Sequence, residues 1–365
     1  LDDLLLHLAD NGIMSGNISW RLKQSSGFAD LIVSQLNPKA LDSRLRSARV
    51  SGQIKLNGNK QTQQAIVTLK DDTLNLNAQV VSTAETIALE SLHLSRGRSQ
   101  LSGQGKLDLI NQKPFSFSGN LKHFNLADFL QAPFSDLNSS LKLTGNLSPQ
   151  VAGTVKFQIT NSLLEEHPVT GNGHIEFNDS NQLKSKVNLL VGSNRLRIEG
   201  DFGSPGDSIQ LDIAAPALAQ IGLGLNGSLH TQAKLSGNFN DPNIKFKINV
   251  ENIDLKEKHY ISRLNANGEL YDEKITLKLD ADNYRIEKEK QFQHLNINVT
   301  GERSLHSIKA EAHVSDQIKI QLHTNGGLST PTKANPALQW IGQLSQLSVT
   351  GALPFHLLTP TSLEL

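Results

Sequence analysis

Apolar and polar residues alternate along most of this chain, and this alternation limits its fold more than any other feature. Ile244, Phe246, Ile248 and Val250, for example, are separated by lysine and asparagine. A period of two places the apolar side chains of a β-strand on one face of a sheet and the polar side chains on the other. Because the pattern recurs from about residue 18 to residue 349, the chain predicts a long sheet with one apolar and one polar face.

Turn residues separate the alternating segments, as at Asn57–Gly58, 203–206 and 325–327. Strands joined by short turns, with almost no helical period between them, predict an antiparallel meander and not βαβ units. The predicted strands are 18–22, 29–33, 50–56, 65–69, 74–80, 87–94, 101–109, 115–121, 141–147, 151–159, 173–177, 183–191, 196–202, 209–213, 244–250, 275–279, 295–299, 308–314, 318–322 and 344–349.

The composition excludes several classes of protein. Lys plus Arg equals Asp plus Glu, 35 against 35, and the charges are dispersed, so we expect no nucleic-acid partner. The absence of cysteine excludes disulfides, thiolate catalysis and cysteine-ligated zinc. No run of 18 apolar residues is present that could span a membrane as a helix. Since the chain starts with Leu1, we expect it to be a piece of a longer protein, with any membrane anchor outside it.

A sheet with one apolar face needs a second layer to cover that face. Helical segments are few and short here, and aromatic residues make up only 5% of the chain, fewer than a compact sandwich commonly uses. We therefore expect an all-β fold, namely a long antiparallel meander with a few short helices. We expect it to curve into an elongated, U-shaped (taco-like) groove whose apolar interior partly meets itself and partly stays open.

The in-phase apolar residues are the candidate wall of this groove. Such positions more often form a dry core than a ligand site, and that alternative stays open at this point. The candidate groove residues are Val155, Phe157, Ile159, Val187, Leu189, Val191, Ile209, Leu211, Ile213, Ile244, Phe246, Ile248, Val250, Ile275, Leu277, Leu279, Leu295, Ile297 and Val299.

Glycine also keeps to the apolar phase. Glycine inside a strand weakens it and commonly marks a bend or the close approach of another group. Two interpretations remain, either bulges where a curved sheet folds over itself or a smooth, concave apolar wall. The glycines in question are Gly52, Gly103, Gly105, Gly145, Gly153, Gly173, Gly237 and Gly268.

A degenerate repeat of about 90 residues overlies the strands. Gly145 and Gly237 occupy similar contexts, and a short helix-like interruption precedes each of them, at 126–137 and 216–229. In register, Leu126 matches Leu218 and Phe129 matches Ile221. Repeated spacing of similar units indicates an array. We therefore expect one elongated segment, 1–365, with approximate units 1–58, 59–149, 150–242, 243–331 and the start of another at 332–365.

The residues that could carry chemistry are scattered. The closest histidines, His306, His313 and His323, would lie on loops or on the solvent face of alternating strands, where metal binding is not expected. No strand leads into a glycine-rich loop and then a helix, and no serine lies in a nucleophile elbow. We expect neither an enzyme nor a cofactor or metal site.

One family shows the same strand pattern. The stretch 208–255 has a strand ending in Ala215–Pro216, then a Leu-x-Gly-x-Leu segment, an alternating strand and a Leu-x-Gly-x-x-x-x-Pro segment, and 115–159 repeats this form. These features, with the Trp340-containing tail at 340–365, resemble the TamB family of the translocation and assembly module. The motifs are degenerate strand patterns, so the related AsmA-like proteins remain an alternative.

The resemblance implies an envelope protein of a didermal bacterium, anchored in the inner membrane and crossing the periplasm. Family members are similar in design to bridge-like lipid-transfer proteins, in which phospholipid acyl chains move along a β-groove. The resemblance also implies a TamA-like outer-membrane barrel partner and a membrane anchor, both engaged through parts outside this segment, and a role in outer-membrane biogenesis and protein secretion.

Three functions fit the residues. A lipid-conducting groove predicts that a charge such as Leu211→Asp or Ile248→Glu blocks transport while the sheet still folds. A scaffold that pairs with outer-membrane protein or autotransporter strands at an exposed edge would be more sensitive to proline at the terminal strands. A β-solenoid with a dry core would unfold with either charge.

Overall fold

The computed structural model of the chain describes residues 4–239, 241–256, 258–287, 289–329, 339–351 and 353–364. It divides into two compact units, Leu1–Gly192 and Ser193–Leu365. Both units consist of long β-strands, and each is described by itself below. The start of the last predicted repeat, at 332–338, lies outside the described residues.

Thirteen strands lie in the described part of the first unit, residues 4–192, and each pairs antiparallel with the next strand in chain order. An α-helix, α1 (Pro38–Leu41), follows β3, and a 3₁₀ helix, Leu126–Asp128, follows β9. Two further 3₁₀ turns are Ala9–Asn11 and Leu22–Gln24. The strands are β1 (Leu4–His7), β2 (Ile13–Arg21), β3 (Ser26–Leu36), β4 (Val50–Asn59), β5 (Thr62–Lys70), β6 (Leu74–Thr83), β7 (Thr86–Arg96), β8 (Ser99–Asp108), β9 (Pro114–Phe124), β10 (Ser135–Asn146), β11 (Ala152–Leu164), β12 (His167–Phe177) and β13 (Leu183–Val191).

The second unit continues the same design, and its strands β14 to β24 pair antiparallel in chain order. The last strand, β25, pairs with β23. A 3₁₀ helix, Leu218–Ile221, separates β15 from β16. The strands are β14 (Asn194–Phe202), β15 (Ser208–Ala215), β16 (Leu225–Gly237), β17 (Pro242–Leu255), β18 (His259–Tyr271), β19 (Lys274–Ile286), β20 (Glu289–Glu302), β21 (Leu305–His313), β22 (Lys319–Leu328), β23 (Trp340–Thr350), β24 (Phe355–His356) and β25 (Thr361–Glu364).

The all-β antiparallel meander with a few short helices is confirmed. The predicted strands omit the long β16 and β18 and the short β1, β24 and β25, and the helix-like segment at 216–229 is helical only at Leu218–Ile221. β16 and β18 carry small residues where large apolar ones were expected, such as Ala233 on β16 and Ala266 and Gly268 on β18. Small residues weaken the alternating signal although the backbone is fully paired.

Register shifts interrupt several strand pairs. In the first unit they include the shifts between Val33 and Leu36, between Leu89 and Leu92, and between Ile159 and Ser162. An extra residue on one strand bends that strand and increases the local twist of the sheet. These bulges therefore curve the sheet at defined strands.

The chain exposes more surface than a compact protein of the same mass. Its accessible area is 22,324 Å², whereas a compact protein of this mass exposes on the order of 14,000 Å². The main cluster of buried apolar side chains in the first unit joins Val33, Val50, Leu69 and Leu74, with Phe129 packed against it. Much of the apolar surface is therefore left without a second protein layer.

Candidate functional site

In the second unit, the register places the candidate groove residues in rows across the strands. Residues directly opposite each other on paired strands point to the same face. Leu211, Phe246, Leu277 and Val299 lie in one row, with Ala233 and Gly268 between them. The neighbouring rows hold Ile213, Ile248, Leu279 and Ile297; Ile209, Ile244 and Ile275; and Val250 and Leu295.

In the first unit, the candidate residues on β11 and β13 lie in common rows that run through β12. Phe157 on β11 lies opposite Gly173, which lies opposite Val187 on β13. Leu189 shares a row with Ile159 through Gly171. The row of Val155 continues through Ile175 but ends at Ser185, and Val191 faces Val169. The predicted residues of each unit thus share one face, which we call the apolar face.

Most of these residues are only half-buried. Val187, Ile209 and Val299 are buried, Ile244 is 37% exposed, and the remaining candidates lie between these limits. A residue in a dry core between two layers is commonly much less exposed. Most of the apolar face is therefore only partly shielded from solvent.

The exposure of the apolar face changes along the strands of the first unit. On β4, Val50 is 3% exposed, whereas Leu56, six positions later on the same face, is 40% exposed. The turn containing Phe129 packs against the buried cluster, and Leu45 forms an isolated bridge with Leu130. We call the cluster of Val33, Val50, Leu69 and Leu74 the packed end, and the opposite ends of the same strands the open end.

A shallow apolar depression of about 290 Å³ lies at the open end. Its floor is formed by a row running from Ile18 through Ala29, Leu56 and Ala65 to Val80. Trp20, 52% exposed, lies beside the small residues of the next row. The sequence predicted strands here but did not select these residues as a site, although their alternation was visible.

Aromatic rings cover many glycines of the apolar face. A Cβ atom placed on Gly268 would lie 2.7 Å from Cε1 of Phe246, and one on Gly173 would overlap the ring of Phe157. No register shift falls at Gly268 or Gly173, whereas one lies opposite Gly103 and Gly105 and another lies next to Gly52, so both interpretations of the in-phase glycines hold at different positions. Rings that cover cross-strand glycines stabilise curved sheets. The same relation holds for Phe117 with Gly103, Gly105 and Gly119, for Phe115 with Gly145, for Trp20 with Gly27, and for Trp340 with Gly326 and Gly342.

Two 3₁₀ helices, Leu126–Asp128 in the first unit and Leu218–Ile221 in the second, are each held by a buried polar residue at the start of an earlier strand. Ser99 is 2% exposed; its Oγ donates to Asp128 and accepts from the main-chain N–H of Asn125 at 3.0 Å. In the second unit, Asn194 Nδ2 donates to the carbonyl of Ala217 at 2.8 Å, and Asn194 Oδ1 accepts from its N–H at 3.0 Å. Each short helix is thereby fixed at a rim of its sheet.

His306 corrects one expectation from the sequence. His313 and His323 lie on the polar face, but His306 is buried, 5% exposed, in phase with Ile308 on the apolar face. The indole N–H of Trp340 donates to His306 Nε2 at 2.9 Å, and His306 Nδ1 lies 3.0 Å from the carbonyl of Glu302. Two satisfied ring nitrogens allow a histidine on an apolar face.

We expect His306→Leu to destabilise the second unit by about 1–2 kcal/mol, because the Trp340 indole and the Glu302 carbonyl lose their partner. In a Trp20→Phe background, the emission of Trp340 should shift to longer wavelength as its N–H turns to water. Urea unfolding and fluorescence measure the two effects. Unchanged stability together with unchanged emission would show that the contact is not maintained in solution.

The polar face carries hydrogen-bonded ladders and ion pairs. Asn249 Nδ2 donates to Asn265 Oδ1 at 2.6 Å, and Asn296 Nδ2 donates to Asp280 Oδ1 at 2.8 Å. Hydrogen bonds from Lys319, His313 and Gln321 lower the pKa of Glu311 to about 2. A hydrogen bond from His294, together with one from Arg263, lowers the pKa of Asp282. These carboxylates are engaged in structural pairs on a solvated surface.

Within the described ranges, no three His, Asp or Glu side chains converge on a point where a metal ion could bind. The helices found there are also too short to cross a membrane. The geometry that stands out is therefore a partly covered apolar sheet face.

Comparison with known families adds an independent observation. Residues 61–365 match the profile described as TamB, N-terminal domain. The chain belongs to the TamB family. The match covers most of the described strands and includes every candidate groove residue. No curated protein and no solved structure matches the chain. Membership in the TamB family gives the chain an envelope location and links it to envelope assembly.

Proposed function

We propose that this TamB-family segment binds phospholipid acyl chains along its apolar face and conducts them between the inner and outer membranes. The observation that carries the proposal is the continuity of apolar rows that remain half-exposed. In the second unit one such row runs from Leu211 on β15 to Ile308 on β21 without a charged side chain.

The energetics support this use of the face. Removing one acyl CH₂ from water contributes about 0.8 kcal/mol, so partial burial of an acyl chain offsets much of the cost of leaving a bilayer. Neighbouring rows offer similar apolar contacts, and a chain can pass from one to the next without a deep energy minimum. Neither a cofactor nor a catalytic step is needed for such movement.

The structure suggests different roles for the residues of the first unit. Ala29, Ala65 and the adjacent glycines leave room for a ligand, while Leu56 and Val80 provide apolar contacts. The packed end is filled by Val33 and its neighbours, so an acyl chain would lie toward the open end, with its headgroup in water. Family membership supports a periplasmic position, a membrane anchor outside the segment and a TamA-like barrel partner.

The test is native mass spectrometry with lipid extraction on the segment purified from a didermal host. Wild-type protein is expected to carry phospholipid at more than one molecule per chain. Ile248→Glu should lose this lipid because a carboxylate on the apolar face has no partner there, while circular dichroism still shows a folded sheet.

Lys247→Glu is the matched control, since Lys247 is the next residue on the same strand but lies on the exposed polar face. It should keep its lipid. Folded wild-type protein without lipid, or equal lipid loss in both variants, would argue against the proposal.

A further inference from the structure

One polar contact on the apolar face of the second unit reaches across a whole strand. His306 lies on β21 and Trp340 on β23, and both strands pair with β22, which lies between them. The indole N–H of Trp340 nevertheless donates to His306 Nε2 at 2.9 Å, and the centroids of the two rings are 6.2 Å apart. The Trp340 side chain therefore lies over β22 on the apolar face.

The strands beneath the indole carry glycine at this level. Gly301 on β20 and Gly326 on β22 lie opposite His306, and Gly342 on β23 lies opposite Gly326. A Cβ atom on Gly326 would lie 2.7 Å from Cζ2 of Trp340, and one on Gly342 would lie 2.5 Å from Cη2. The indole thus occupies the space that side chains would take on β22 and β23.

These glycines continue a row of the proposed acyl-chain path. The row passes through Ile209, Ile244 and Ile275 before it reaches Gly301. Beyond Gly301 it holds His306 and then the two glycines covered by the indole. The Trp340 ring therefore lies in the course of this row, where an acyl chain would otherwise meet bare backbone.

The hydrogen bonds of His306 define its protonation state. An indole N–H can only donate, so His306 Nε2 must accept and carries no proton. The ring proton is then on Nδ1, which lies 3.0 Å from the carbonyl oxygen of Glu302, an acceptor. A second proton on Nε2 would place two N–H donors against each other. The contact with Trp340 therefore requires a neutral imidazole.

No acidic side chain is placed to hold a protonated His306 where it is. The residue is 5% exposed, and the positions opposite it are glycines. None of the ion pairs among the described residues involves His306 or the adjacent turn residues Glu302 and Arg303. β23 has no charged residue, and the nearest titratable side chains of β20 to β22 lie in the polar phase, namely Glu302, Lys309 and His323. A buried charge without a partner is unfavourable, so the charged ring has to move toward water.

We propose that His306 is a pH-sensitive latch, which holds the Trp340 indole across the apolar row while it is neutral and releases the indole when it is protonated. Release uncovers Gly326 and Gly342 and opens the row to an acyl chain. This role of the latch rests on the proposed function, since it regulates the same lipid path. Histidine is the side chain that most readily changes charge between about pH 5 and 8, so moderate acidification is sufficient.

The test uses Trp340 as its own reporter. The chain contains two tryptophans, so Trp20→Phe leaves Trp340 alone. In Trp20→Phe protein, a change from about pH 8 to about pH 5 should shift the Trp340 emission to longer wavelength. The indole N–H signal in the NMR spectrum should broaden over the same range as the proton begins to exchange with water. Circular dichroism at both pH values confirms that the sheet stays folded.

Two histidine variants in the Trp20→Phe background assign the effect. His306→Gln should remove the pH dependence, because an amide oxygen can accept from the indole but does not titrate in this range. His323→Gln is the matched control, since His323 lies on the neighbouring strand in the polar phase, and it should keep the pH dependence. Equal shifts in parent and His306→Gln, or no shift in the parent, would overturn the latch.

Native mass spectrometry of the otherwise wild-type segment tests the effect on lipid. More phospholipid per chain is expected at about pH 5 than at about pH 8, and the two values should be equal in His306→Gln. A shift in emission that depends on His306, with unchanged lipid content, would overturn the role of the latch in opening the row. Absence of lipid at both pH values would contradict the proposed function, whereas the spectroscopic results report on the latch without lipid.

Discussion

Replacing Gly173 with valine is expected to destabilise the first unit by about 1–3 kcal/mol, the usual range for overpacking. The sign is opposite to that expected from strand propensity, since valine normally favours strands more than glycine does. The reason is the ring of Phe157, which occupies the space that a Cβ on Gly173 would need. Urea unfolding followed by circular dichroism gives the difference in the free energy of unfolding.

A double-mutant cycle identifies the ring as the cause. Phe157→Ala removes the ring and should destabilise by about 2 kcal/mol, less than a fully buried phenylalanine would. In the combined variant the valine fills the vacated space. The double variant should therefore lose much less stability than the sum of the losses in the two single variants. Asn172→Val, at the exposed neighbouring position on β12, should change stability little. Simple additivity in the cycle would rule out a direct contact between the ring and position 173.

Val33→Asp is expected to destabilise the first unit by more than 4 kcal/mol, whereas Ala65→Asp should leave it folded. Val33 is 2% exposed at the packed end, where a carboxylate would have neither water nor a partner. Ala65 lines the open depression, where a carboxylate can remain hydrated. Circular dichroism and urea unfolding of the two variants measure the contrast.

The same pair of variants also separates two accounts of the apolar face. Ala65→Asp should lose bound phospholipid in native mass spectrometry although it folds. Unfolding of both variants would show that the apolar face is dry along its whole length. Folding of both would show that the packed end is not a core.

Alternation was sufficient to predict the sheet and its two faces, because a period of two fixes the side on which each residue lies. Leu211, Phe246, Leu277 and Val299 come from four separate strands, yet the hydrogen-bonded register places them in one row. Only the phase within each strand was needed to identify them as one set.

Other features depend on contacts between strands that the linear pattern does not contain. The glycines were recognised as being in phase, but the rings that cover them come from residues distant in sequence, such as Phe246 for Gly268. His306 was placed on the polar side because a single histidine in a strand gives no sign of its partner Trp340, 34 residues later. The packed end depends on Phe129, which reaches strands β3–β6 through a turn after β9.

The pairs of rings and glycines also bear on how strands choose their partners during folding. A period of two does not distinguish the native register from one displaced by two residues, since both keep the same faces. In the β17–β18 pair, such a displacement would place Ala266 or Leu270 opposite Phe246 in place of Gly268. A side chain would then compete with the ring for the same space. The glycine of one strand thus specifies which residue of the neighbouring strand lies opposite it. A chain built almost wholly from similar hairpins thereby avoids pairing in a shifted register.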